Sequence, residues 1–261
     1  MKTALLISTY NWEKALDLIF ESILIQTKMP DEILIADDGS KNITKELIDE
    51  FTSKIKIPVK HFWQEDIGFR KSRILNIAVA KSNSDYIIQI DGDCILNKNF
   101  INDHVSHASK KTYLYGSRVN ILPKYVNAIF DLKKIFFTIF SKEVKNKTRT
   151  LHIPFLSRIY KKHDGISKKF RGCNVSYWRS DFLAINGYNE DFEGWGREDS
   201  DLAIRMSNFG VKAKRLRYVG IVYHIHHKTN SKDSLGTNDL IQEKTIQEKI
   251  IRCKKGVDQY L

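Results

Sequence analysis

Asp91-Gly92-Asp93 follows directly on the apolar run Tyr86–Ile90. In an extended chain, residues two apart project to the same side, so both carboxylates would converge at a strand end. Hard oxygen donors placed this way suit Mg²⁺ or Mn²⁺, with diphosphate oxygens completing the shell. A plain turn after a strand would use the same residues. Asp37-Asp38-Gly39-Ser40 ends an earlier apolar run. It reads either as an Asx turn with Ser40 capping the next helix, or as carboxylates reaching a nucleobase N–H or a ribose hydroxyl. If the two runs lie parallel, both acidic turns share one sheet edge, and a metal-bridged nucleoside diphosphate accounts for both. Thr9-Tyr10-Asn11 ends the first run at that edge, where Tyr10 offers a flat face to a base. Asp66 lies in Gln64–Arg70, a further run end, and Arg73 follows on a helical face as a candidate phosphate partner.

Two later segments add chemistry. Gly187–Asp201, GYNEDFEGWGREDSD, crowds acids, aromatics and glycines together. A tryptophan beside carboxylates is a sugar-binding combination, the ring covering a pyranose face while the acids take its hydroxyls. One of those acids could act as a general base. The competing reading is an acidic loop that complements the dipole of the following helix. His224-Ile225-His226-His227 follows the apolar run VGIVY. His224 first, and His227 second, are candidate nitrogen ligands to a metal shared with Asp93, an arrangement Mn²⁺ tolerates better than Mg²⁺.

The elements needed to position these residues are legible as alternating patterns. Strand-like runs cover Ala4–Thr9, Glu32–Ala36, Ile57–Phe62, Tyr86–Ile90 and Thr112–Ser117. Helical spacing covers Trp12–Gln26, with Ala15, Leu18, Ile19, Ser22 and Ile23 on one face, then Asn42–Phe51 and Phe69–Ala80. This predicts an α/β fold: a mostly parallel sheet flanked by helices, with ligands at the carboxyl ends of its strands. Past residue 171 the alternation resumes, with helices near Asp181–Ile185 and Glu198–Phe209 and strands near Ala213–Leu216 and Ile221–His224. A polar stretch and a helix over Asn238–Lys254 close the chain.

Composition bounds the function. With 261 residues and 42% apolar content, the chain can bury a core, which excludes global disorder. Cys94, Cys173 and Cys253 form no CxxC pair and their odd number argues against a disulfide framework, so a reducing, cytoplasmic setting is expected. The start MKTALLISTYN is too polar for a signal h-region, and no apolar run is long enough to span a bilayer. The net charge of +12 is local: residues 121–171 hold 13 Lys and Arg against 3 Asp and Glu, whereas residues 1–120 hold 16 against 16. Within 121–171, Ile129, Phe130, Leu132, Ile135, Phe136, Ile139 and Phe140 stand near helical spacing among lysines. This predicts an interfacial helix on an anionic membrane, with packing into the protein's own core as the alternative. A nucleic-acid partner is not expected, since it leaves the acidic GWGREDSD loop unexplained.

Taken together, STYN, DDGS, EDIGFRKSRILN, DGDC, GCNVSYWR, GWGREDSD and VYHIHH resemble family 2 glycosyltransferases with a GT-A fold, and the C-terminal part is similar to the galactosyltransferase-type region with its Gly-Trp-Gly-x-Glu-Asp motif. The resemblance divides one continuous GT-A domain into a nucleotide-sugar-binding half (1–120), a basic insertion (121–171) and an acceptor-binding, catalytic half (172–261). It implies that Thr9, Tyr10, Asn11, Asp37, Asp38, Asp66, Arg73 and Asp91 hold a UDP-sugar, with Gly172 and Asn174 lining the donor sugar. It implies a metal held by Asp91, Asp93 and His224, with His227 kept as the further candidate ligand from its place after the strand, Asp199 as the catalytic base, and Trp195, Glu198 and Asp201 on the acceptor. Inverting transfer of a hexose or N-acetylhexosamine to a saccharide or lipid-linked saccharide follows, in bacterial surface polysaccharide or lipopolysaccharide synthesis at the inner membrane face. Arg197 departs from the small residue common after Gly-Trp-Gly. Two other functions compete: a metal-dependent nucleotidyltransferase, which STYNWEKAL disfavours by lacking a glycine-rich loop, and a non-catalytic sugar-nucleotide-binding protein, which has no need of Asp199.

Overall fold

The computed structural model describes residues 1–167, 169–228 and 234–261, so part of the polar stretch before the last helix lies outside the described residues. Strands β1 (Thr3–Thr9), β2 (Glu32–Asp37), β3 (Val59–Trp63) and β4 (Tyr86–Asp91) alternate with helices α1 (Glu13–Leu24), α2 (Asn42–Lys54) and α3 (Lys71–Ala80). The apolar runs of β1, β2 and β4 are continuous because both faces are covered, whereas the edge strand β3 is only half-buried. Leu5 and Ile7 of β1 pack under α1 and α2, while Ala4 and Leu6 pack under α3. All five residues expected on the inner face of α1 are buried. Ser40 does not cap α2. Its hydroxyl instead accepts the Asn11 backbone N–H at 2.8 Å and ties the ends of β1 and β2 together.

The middle of the chain supplies β5 (Cys94–Leu96), α4 (Phe100–His107), β6 (Thr112–Tyr115), β7 (Ser117–Ile121), α5 (Val126–Asp131), β8 (Val144–Lys145), α6 (Pro154–Ser157) and β9 (Lys162–His163). The expected single strand Thr112–Ser117 is therefore two strands in different sheets. Gly116 is the break, because a Cβ there would stand 2.3 Å from the Gly220 carbonyl and the Asn174 amide. The chain ends with β10 (Asn174–Trp178), α7 (Arg179–Ala184), α8 (Glu198–Asn208), β11 (Lys212–Arg215), β12 (Ile221–His224) and α9 (Leu235–Gln247). α9 stops short of the expected Lys254, and Lys249 just beyond it takes a left-handed φ of 51°.

The larger sheet runs β3-β2-β1-β4-β10-β6-β11-β9, and a smaller one runs β5-β12-β7-β8. β1 to β4 are parallel as expected, whereas β10 is antiparallel to both of its neighbours, β4 and β6. The carboxyl ends of β1, β2 and β4 and the start of β10 thus meet at one edge.

The continuous amphipathic helix expected within 121–171 does not form. α5 ends at Asp131, Lys133 adopts a left-handed φ of 44°, and the chain continues irregularly. Ile129 and Phe137 enter a core with Val119, Tyr223 and Val144, while Leu132, Phe136 and Phe140 remain 75%, 59% and 85% exposed. The stripe is divided between core and surface. Among the described residues no helix is long and apolar enough to cross a membrane.

Candidate active site

A cavity of about 510 Å³ opens at the shared strand edge, and Thr9, Tyr10, Asp38, Asp66, Asp91, Asp93, Trp195 and His227 are in its wall. The Tyr10 hydroxyl donates to Asp66 at 2.9 Å. Asp38 accepts the Arg70 backbone N–H at 2.9 Å and the Gln64 side-chain amide, and burial raises its carboxyl above the usual range. Asp37 does not face the cavity. Its two oxygens are taken by the Ser40 N–H at 2.8 Å and His61 at 3.0 Å, so it holds the turn that presents Asp38.

The two aspartates of DGD do not converge on one partner. β4 ends at Asp91 and Asp93 lies in the following turn, so the same-side rule for strands stops applying between them. Asp91 accepts the Ser8 hydroxyl at 2.9 Å and the Lys71 ammonium at 2.6 Å. Asp93 faces His224 Nε2 at 3.2 Å and His227 Nε2 at 3.1 Å, and those neighbours hold its carboxyl well below the usual range.

Asp93, His224 and His227 bring one ligand atom each within 4.8 Å of one another. His227 Nδ1 stands 2.6 Å from the Lys228 carbonyl, which suits Nδ1–H as donor and leaves the Nε2 lone pair directed at the Asp93 corner. This carboxylate-and-imidazole set fits a divalent cation that accepts nitrogen beside oxygen ligands, as Mn²⁺ does more readily than Mg²⁺. Asp91 is not in that cluster. His226 is exposed, and because β12 ends at His224 the strand alternation does not extend to it. The Trp12 ring meets His227 edge-on with centroids 5.8 Å apart.

Across the cleft, Glu198 and Asp199 open α8. Glu198 is buried and accepts the Gly196 N–H at 3.0 Å. Its carboxyl is pushed up to about 7, by burial first and by Asp199 second. Asp199 accepts the Tyr188 hydroxyl at 3.3 Å. Burial raises its carboxyl, and the Lys71 charge opposes the rise. Lys71, the first residue of α3, thus sits within electrostatic reach of Asp91, Asp199 and Glu198. Sequence reasoning passed over it for Arg73; the available signal was a lysine opening a helix at the ligand-binding edge.

Several expected site residues have partners within the fold. Arg73 donates to Gln64 at 2.6 Å and so steadies the residue that holds Asp38. The Asn11 side chain accepts the Lys41 N–H at 2.9 Å. Asn174 is buried, its amide donating to the Gly220 and Ser117 carbonyls and its oxygen facing His104. Asp201 is fully buried in an ion pair with Arg205 at 2.7 Å and accepts the Thr245 hydroxyl at 2.8 Å. Gly172 makes room for Asp199: a Cβ there would stand 2.0 Å from its carboxylate. Phe192 belongs to the core, while Trp195 is 36% exposed in the cavity wall. Arg197 turns away and pairs with Asp239.

The sequence model described as Glycosyl transferase family 2 matches residues 4–163, more than half of the chain. The chain belongs to glycosyltransferase family 2. A second model, described as the N-terminal domain of galactosyltransferase, matches residues 156–228, the span with Trp195, Asp199 and His227. Among family relatives, validoxylamine A glucosyltransferase of Streptomyces hygroscopicus subsp. limoneus is 25% identical, over 80% of this chain and 48% of its own length. Chondroitin synthase of Escherichia coli is 23% identical over 95% of this chain and 38% of its own. The chain thus spans less than half the length of these curated relatives. Of solved structures, S. aureus TarS 1-349 in complex with UDP superposes with a TM-score of 0.64 at 14% identity, covering all of this chain and 68% of that one. GalNAc-T7 with UDP, GalNAc and Mn²⁺ gives 0.64 at 18%, covering 87% and 44%. The fold is GT-A.

Two outcomes follow from the site's electrostatics. Because Glu198 moves from its ordinary 4.5 to about 7, the folded state binds that proton more tightly than the unfolded chain. Its contribution to stability is therefore lost as pH rises through that window. Glu198→Gln should accordingly raise the melting temperature more at pH 8 than at pH 5, as thermal melts would read. For the metal corner, titration of free Mn²⁺ by electron paramagnetic resonance should show at least tenfold weaker binding for His227→Ala and unchanged binding for His226→Ala.

Proposed function

We propose that the chain catalyses inverting transfer of a hexose or N-acetylhexosamine from a UDP-sugar to a saccharide hydroxyl, with galactose or N-acetylgalactosamine favoured as the donor sugar. The observation that carries this reading is Asp199, a carboxylate held by Tyr188 with space cleared by Gly172 and within electrostatic reach of Lys71 and Asp91, which line the same cavity as Asp93 and His227. UDP is favoured as the nucleotide by the TarS and GalNAc-T7 complexes. The mannosyltransferase PcManGT of Pyrobaculum calidifontis, solved with GDP-Man and Mn²⁺, has the same fold, so the fold alone does not select the base.

In this reading Tyr10 stacks on the uracil, with Thr9, Asp38 and Asp66 around the nucleoside. Asp93, His224 and His227 hold Mn²⁺ or Mg²⁺, which when bound supplies positive charge to the diphosphate leaving group. Trp195 covers one face of the acceptor sugar and Glu198 orients it. Asp199 takes the proton of the acceptor hydroxyl while its oxygen attacks C1 and the bond from C1 to the diphosphate breaks. Lys71 steadies the negative charge of Asp199 and Asp91 in the meantime. The exposed Leu132, Phe136 and Phe140, beside Lys133 and Lys142, support docking on an anionic membrane face where surface-polysaccharide or lipopolysaccharide acceptors are presented on lipid.

UDP release with Mn²⁺ across a panel of UDP-sugars tests the chemistry. Asp199→Asn should keep donor binding while turnover falls by about 10²–10⁴-fold; a chain that neither binds nor turns over any UDP-sugar would sink the reading. Sedimentation with phosphatidylglycerol vesicles tests the docking surface, which Phe136→Ser with Phe140→Ser should abolish without lowering the melting temperature.

A further inference from the structure

Four arginines gather away from the donor cleft. Arg118 in β7, Arg149 in the 3-10 turn Lys147–Thr150, Arg215 at the end of β11 and Arg217 just beyond it are all half-buried. Arg197, Arg205 and Arg252 each pair with an aspartate. Among the described residues, no carboxylate pairs with any of the first four. Arg149 is close enough to the other three that their charge, after burial, lowers its guanidinium below the ordinary range. It also donates Nη1 to the Arg118 carbonyl at 3.0 Å. Two guanidiniums rest on rings: Arg215 over Tyr160 at 5.7 Å and Arg217 over Tyr218 at 4.5 Å. Arg217 Nη1 is buried without a hydrogen-bond partner.

Such a cluster is costly in isolation. Like charges repel in a partly desolvated site, and a buried charged donor left unpaired forfeits its hydration. One multivalent anion relieves both costs at once. A carboxylate is satisfied by a single guanidinium fork, whereas a tetrahedral phosphate accepts several forks from different directions.

Strand direction places the cluster relative to the site. β10 is antiparallel to β4 and β6, and β11 is parallel to β6, so β11 ends at the same sheet edge as β4. Register links Ile90 to Asn174, then Val175 to Tyr115, and Tyr115 to Arg215. Three strand spacings separate β4 from β11, about 14 Å along that edge. The strand next to β4 on this path is β10, entered through Gly172 beside Asp199.

We propose that Arg118, Arg149, Arg215 and Arg217 form a phosphate-binding subsite at the acceptor end of the cleft edge, which takes a phosphate or diphosphate carried by the acceptor some distance from the hydroxyl that is glycosylated. The word acceptor rests on the transferase reading; phosphate binding by these arginines stands apart from it.

The test is ³¹P NMR titration of the full chain with inorganic phosphate, in metal-free buffer at constant ionic strength, with and without UDP. Saturable binding is expected that UDP does not displace. Arg215→Met with Arg217→Met should weaken it at least tenfold, and Arg197→Met should leave it unchanged. Phosphate should also raise the melting temperature of the natural chain above that in chloride, a measurement that holds even if the double variant folds poorly. Absence of binding, loss of binding on adding UDP, or an unchanged melting temperature would overturn the subsite. Displacement of phosphate by phosphatidylglycerol but not phosphatidylcholine vesicles would overturn the acceptor assignment in favour of a lipid headgroup. Phosphate binding without UDP binding would sink the transferase reading alone, and the reverse would sink this proposal alone.

Discussion

Asp91, Glu198 and Asp199 are drawn toward one cleft by elements far apart in the chain, and their mutual repulsion has to be offset for the cleft to exist. Lys71 does this from the first turn of α3, bonded to Asp91 and acting electrostatically on the other two. Its own burial disfavours the charge, and the surrounding carboxylates more than reverse that, so the ammonium stays protonated. Each side of the cleft depends on the other through this one cation. An isolated buried charge would cost far more than a pair of this kind, which is why the lysine and its carboxylates are best regarded as one unit.

Behind Asp199 a hydrogen-bonded tier fixes the tyrosine that reaches it. Tyr177 donates to Gln89 at 2.9 Å, Gln89 donates to the Tyr188 hydroxyl at 2.7 Å, and Tyr188 donates on to Asp199. Asn76 clasps the Tyr188 backbone from both directions. Gln89 and Tyr177 belong to β4 and β10, so the sheet itself sets where Asp199 stands. Gly172 completes the arrangement by leaving unfilled the volume that the carboxylate occupies. On the opposite side, Asp93 is fixed by the smaller sheet, because β12 ends at His224 and pairs with β5 just after the turn. The two sheets therefore supply two different chemical corners to one cavity.

The basic segment 121–171 is absorbed into this architecture. β8 joins the smaller sheet and β9 the edge of the larger one. Phe130 packs edge-on against Trp12 at 6.2 Å, which in turn meets His227. Helical spacing of its apolar residues was a poor guide because half of them serve this local core and the rest lie on an irregular surface. Periodicity distinguishes a helix only when one face is buried uniformly.

What the sequence determined by itself is which residues stand at strand ends. The continuous apolar runs required a sheet covered on both faces, and DDGS, DGD and HIHH had to emerge at their carboxyl ends, so the cleft, its acidic edge and the Asp93–His224–His227 corner were legible. Tertiary structure decided which carboxylate of each pair is engaged within the fold and which is left for the cleft. Asp37 and Asp38 are indistinguishable in the chain until His61 and Ser40 engage the first. Asp201 looks like its neighbour Asp199 until Arg205 and Thr245 bury it. Lys71 and the arginine cluster were hidden for the same reason. A charged group's role depends on the partner delivered to it through space, and local sequence encodes the group but not that partner.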